Sequence, residues 1–189
     1  MNTRWLGTIF IVCTLILMLS GILQTALGLG EADNNISEIA YMIWGIGGVC
    51  CIVGLIRLNA LGSNAVARAL GFLPMIGFAA LALQGGLKVA GFITPGTPVA
   101  FALTGFAWIA FLAGMLVVGI LTIAAKSWRG WRRFVPLLTI ALSPAVFGIG
   151  QLIGNQYIGA VIGNALWVLL GYVIATAEPA LGLQPSATV

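Results

Sequence analysis

Six stretches of this sequence stay apolar for about 18 to 27 residues without one charged side chain. That length matches a helix crossing a hydrocarbon core of about 30 Å. They run over roughly Trp5–Leu29, Ile39–Ile56, Ala69–Leu87, Val99–Ala125, Phe134–Ile153 and Ile158–Ala177. None alternates apolar with polar residues, as a barrel strand facing lipid would. In lipid a spanning segment must satisfy its own backbone hydrogen bonds, which leaves helices for continuous runs like these. Charged residues make up only 6% of the chain. A soluble fold of this size needs roughly a quarter. The expected architecture is one all-α domain over 1–189, a polytopic integral membrane bundle of six transmembrane helices.

The first run follows Arg4, as a secretory signal would, but it exceeds the 7–15 residues of a usual signal core. It is expected to stay as a helix. Pro136 falls in the first turn of the fifth helix, where a missing N–H costs little, while Pro144 falls inside it and should kink it. Pro74 should distort the start of the third.

Basic residues set the direction. Lys and Arg accumulate in cytoplasmic loops. With a cytoplasmic N-terminus, Arg4, Arg57, Arg68, Lys126, Arg129, Arg132 and Arg133 share that side, and only Lys88 lies opposite, a division of seven to one. Lys88 shares its side with the acidic loop Glu31–Glu38. The formal net charge of +4 therefore reports orientation rather than nucleic-acid binding. The segment KSWRGWRRF, Lys126–Phe134, becomes the fourth loop, with its cations near anionic lipid and Trp128 and Trp131 at headgroup level.

Helices in lipid associate through close packing and polar contacts. Gly150 with Gly154, and Gly159 with Gly163, have the spacing that lets backbones approach, so the last two helices should form a tight hairpin. The closing segment, WRRFVPLL followed by IGNALWVLLGY, resembles the last two helices of small bacterial multi-pass membrane proteins. That resemblance implies a bacterial inner-membrane location and carries no active residues.

The sequence has no histidine, which removes the commonest metal ligand and the usual general base. No ionisable group lies deep in a span, where a proton-coupled transporter keeps one. The glycines Gly45, Gly47 and Gly48 sit within an apolar span, not after a strand as a nucleotide fingerprint requires. Cys13, Cys50 and Cys51 lack metal or disulfide spacing and read as packing residues. No enzyme activity, cofactor or metal is expected.

The remaining polar side chains gather near one level. Gln24, Gln84, Gln151, Asn155 and Asn164 all fall in the outer third of the assigned bilayer, as interhelical glue or as the wall of an uncharged pocket. Asn164, on one face with Trp167 and Gly171, would be the deepest donor of such a pocket. The expected role is a non-catalytic structural or accessory component of a membrane complex, partnered by the bilayer and by other subunits or copies of itself. The alternative is a small transporter or channel for a neutral or lipidic solute.

Overall fold

The computed structural model describes residues 2–28, 35–154 and 156–177. Among them there are helices and no strands. Helix α1 spans Thr3–Leu27 and α2 spans Asn35–Arg57. Two pieces, α3 (Ala65–Leu70) and α4 (Phe72–Val89), make up the third rod. Helix α5 spans Pro98–Ala125, and a 3-10 turn over Gly130–Phe134 leads into α6, Val135–Leu152. The last rod is α7 (Gln156–Ile158), a π turn over Gly159–Gly163, and α8 (Asn164–Thr176).

Local chemistry explains where these rods begin and end. Asn2 and Asn64 accept backbone N–H groups at the starts of α1 and α3, satisfying donors that a helix leaves unpaired. Thr97 does the same for α5, with Pro98 in the first turn, where its fixed φ suits the helix. Helix α6 carries Pro136 in its first turn and Pro144 in its interior, as expected. Gly154 lies just past the end of α6 at φ 68°. Its role is to turn the chain, a correction to its expected place in helix packing.

Five rods are long and apolar enough to cross a membrane, and the last is shorter by the same measure. The bundle is thus compatible with membrane embedding.

The rods close into a ring in the order α1, α2, α4, α5, α6, α8 and back to α1. Small residues let the backbones meet. A Cβ on Gly77 of α4 would collide with the Phe111 backbone of α5, and one on Gly114 of α5 with Pro74 of α4. Gly7 of α1 faces the Ala175 and Gly171 backbone of α8 in the same way. These are the closest approaches between rods. The expected hairpin contact differs in kind: Gly163 receives only the Phe147 ring of α6, and Gly159 meets that ring first and the Phe147 Cα behind it.

One end of the ring gathers the basic segments. Gly62 approaches Ala125, and the Arg132 guanidinium donates to the Thr176 carbonyl at the end of α8, 3.2 Å. Arg132 thereby complements the negative end of a helix, a role beyond the lipid contact expected of it. Arg133 stacks on the Phe134 ring at 4.7 Å. Lys126 closes α5 in the left-handed region, and Arg129 is exposed. Trp131 is exposed, but Trp128 is buried. Its ring joins the apolar core.

Candidate functional site

The interior of the ring is divided by aromatic side chains. Trp44 of α2, Phe111 of α5 and Trp167 of α8 form a triangle with ring centroids 5.4–5.5 Å apart. Phe78 of α4 backs them, 5.1 Å from Trp44 and 4.8 Å from Phe111. Phe10 of α1 closes the second tier, 6.4 Å from both Phe78 and Trp167. Most of these pairs meet edge to face, the geometry the ring quadrupole favours. Toward the basic end, Cys51, Leu55, Met115, Val118, Leu170 and Ile174 are buried in the apolar core.

Toward the other end the ring holds a cavity of about 430 Å³, within the range of roughly 300–1,000 Å³ for small-molecule sites. Trp44, Phe111 and Trp167 form its floor. The wall from α1 is Leu17, Ser20, Gly21, Gln24 and Thr25, and that from α2 includes Ser37 and Tyr41. Helix α5 adds Trp108 and Leu112, α6 adds Ile140, Ser143, Pro144, Phe147 and Gln151, and α8 adds Asn164. Among the described residues no lining side chain is charged.

Three features of α6 and the last rod shape this wall. Pro144 has no N–H to offer the Ile140 carbonyl one turn back. The π turn over Gly159–Gly163 inserts a wider loop of helix just before Asn164, the kind of irregularity that often marks functional positions. Ser143 then ties the two rods together. Its hydroxyl donates to the Gly163 carbonyl at 3.0 Å and accepts the Trp167 indole N–H at 2.9 Å. Thr139 donates to the Leu166 carbonyl at 3.2 Å. The floor ring of Trp167 is therefore fixed in place by α6.

No protein family, curated protein or solved structure matches this chain. Its residues alone carry the functional argument.

Gln24, Gln151 and Asn164 line one cavity, with Gln24 and Asn164 buried. Gln84 does not join them. It lines a neighbouring cavity of about 300 Å³ between α2, α4 and α5. Asn155 lies outside the described residues. Gly171 sits against α1 and not on the cavity. Gly150 is buried within α6.

Sequence reasoning missed several contributors. Trp44 is 2% exposed, and its indole Nε1 has no acceptor within the protein. A buried donor left unpaired costs about 1–3 kcal/mol. Ser143 and Ser20 read in the sequence as ordinary small residues of a span. Glu38 and Lys88 form an ion pair at 2.6 Å between α2 and α4, joining the acidic loop's last residue to the one cation on that side. Among the described residues no three His, Cys, Asp or Glu side chains cluster to hold a metal.

Proposed function

We propose that this chain is a six-crossing integral membrane protein that binds an uncharged, partly apolar solute in the cavity facing away from its basic end. With the seven cations cytoplasmic, both termini are cytoplasmic, the membrane is the bacterial inner membrane, and the cavity belongs to the outer half of the bilayer. The carrying observation is the cavity itself: an aromatic floor, an amide and hydroxyl rim, and no charge among the described lining residues. An ion would find no counter-charge there, whereas a neutral molecule finds apolar contact below and hydrogen-bond partners above. The cavity favours a solute-binding or transport role over an accessory one. The buried apolar core beyond the floor supports reading this conformation as an outward-facing state of such a protein. No catalytic group is assigned, because the lining offers neither an acid nor a base.

Purified protein in nanodiscs, followed by intrinsic tryptophan fluorescence, tests this. Octanol, octanoate and octylamine share one chain and differ in charge. Saturable binding of octanol, weakened by Asn164→Leu or Gln24→Leu, is the expected result. No saturable response to octanol would remove the solute-binding reading, and equal responses to the charged pair would remove its preference for uncharged solutes. Native mass spectrometry showing a stoichiometric foreign subunit would favour the accessory role instead.

A further inference from the structure

The smaller cavity is not separate from the larger one. Ser37, Tyr41 and Trp108 line both. The Tyr41 and Trp108 rings meet edge to face at 6.2 Å and form the partition between them. One side of that partition is aromatic and uncharged. The other holds the Lys88–Glu38 pair and Gln84. Gln84 is 6% exposed, and its Oε1 has no donor within the protein. On the larger side, Trp44 Nε1 has no acceptor.

Gln84, which carries the orphaned acceptor, thus lines the cavity on one side of a two-ring partition, and Trp44, which carries the orphaned donor, lines the cavity on the other. Buried polar atoms are ordinarily paired; both orphaned atoms lie beneath the cavity surface, so a molecule that reaches both sides satisfies two demands only by drawing the Gln84 and Trp44 side chains toward it. It needs a donor group for Gln84 Oε1 and an acceptor oxygen for Trp44 Nε1. It also needs an apolar body for the Trp44, Phe111 and Trp167 floor. The ion pair is internally balanced, so the head carries no net charge.

We propose that the two cavities form one bipartite site for a neutral amphiphile: a hydroxyl or amide head beside Gln84 and the Lys88–Glu38 pair, and an acyl or ring-bearing body on the aromatic floor. This rests on the solute-binding reading above and specifies its ligand class. The ligand's chemistry is that of an uncharged acylglycerol or a similar hydroxyl-bearing ester. Tyr41 and Trp108 then act as the specificity gate, because the linker between head and body must pass them.

The probe is 1-monooctanoylglycerol, whose hydroxyls supply the donor and whose ester carbonyl supplies the acceptor. Methyl octanoate keeps the ester and chain but lacks head donors, and glycerol is the head alone. Each is titrated into the full chain in nanodiscs, and thermal stabilisation is read. Partitioning into the disc is common to all variants and cancels in comparisons between them. The expected order on the unaltered protein is 1-monooctanoylglycerol above methyl octanoate, with glycerol silent. Gln84→Met should lower the apparent affinity for 1-monooctanoylglycerol about tenfold, the scale of one lost hydrogen bond in a buried site, and leave methyl octanoate unchanged. The comparison of ligands on the unaltered chain needs no variant, so a misfolded Gln84→Met leaves the test intact. Equal binding of the two esters would overturn the bipartite site while leaving solute binding standing. Stabilisation by glycerol alone would replace the membrane-borne amphiphile with a dissolved polar solute and overturn the proposal. Failure of every ligand to bind would sink the solute-binding reading as well.

Discussion

At Ser143 a single hydroxyl serves two partners, the Gly163 carbonyl and the Trp167 indole. Ser143→Ala leaves the indole N–H of a residue 3% exposed without its acceptor. The expected cost is about 1–3 kcal/mol, read as a lower unfolding midpoint in detergent. Asn164→Leu should behave differently. A hydrogen bond inside a membrane bundle averages about 0.6 kcal/mol, so that variant keeps its fold and loses solute binding. An Asn164→Leu protein that binds octanol like the parent would reduce the residue to glue. The gathering of Gln24, Gln151 and Asn164 was legible because helix length alone sets the depth of each polar residue. Trp44 and Ser143 were not. An orphaned indole or a shared hydroxyl depends on which side chains meet across helices far apart in sequence.

Among the helices, the tightest seams involve single glycines on partners that no local spacing connects, such as Gly77 against Phe111, Gly114 against Pro74 and Gly7 against Gly171. The six apolar rods could be read from continuous runs, and their observed ends fall within a few residues of expectation. The order in which they close the ring could not, because it rests on those non-local pairs. The π turn was equally hidden, since no proline or unusual residue announces it. These seams rank the substitutions. Gly77→Ala drives a methyl group into the Phe111 backbone, which cannot turn aside, and should cost about 1–3 kcal/mol. Gly163→Ala meets only the Phe147 ring, which is 38% exposed and can swing outward. Thermal unfolding of both variants should place Gly77→Ala well below Gly163→Ala. The reverse order would show that the hairpin of α6 with the last rod, rather than the α4–α5 seam, limits stability.

For the whole molecule, two ends of one ring have opposite characters. One gathers the basic segments over a buried apolar core, and the other opens into an uncharged cavity between five helices. On the reading proposed above, this asymmetry orients the protein in the bilayer and sets the side from which a solute enters. Neutralising Arg129, Arg132 and Arg133 together should weaken orientation, at about 1 kcal/mol for each cation near an anionic leaflet. It should also loosen the end of α8, where Arg132 holds the Thr176 carbonyl. Topology reporters and unfolding midpoints would register the two effects separately. The most direct measurement of the central claim uses single cysteines in a chain with Cys13, Cys50 and Cys51 replaced by alanine. Intact cells expressing Gln151→Cys or Gly130→Cys are treated with a membrane-impermeant maleimide, before and after permeabilisation. Gln151→Cys, on the cavity wall, should react from outside in intact cells, and Gly130→Cys only once the membrane is opened. Labelling of Gly130→Cys in intact cells with Gln151→Cys protected would invert the molecule and contradict an outward-facing site.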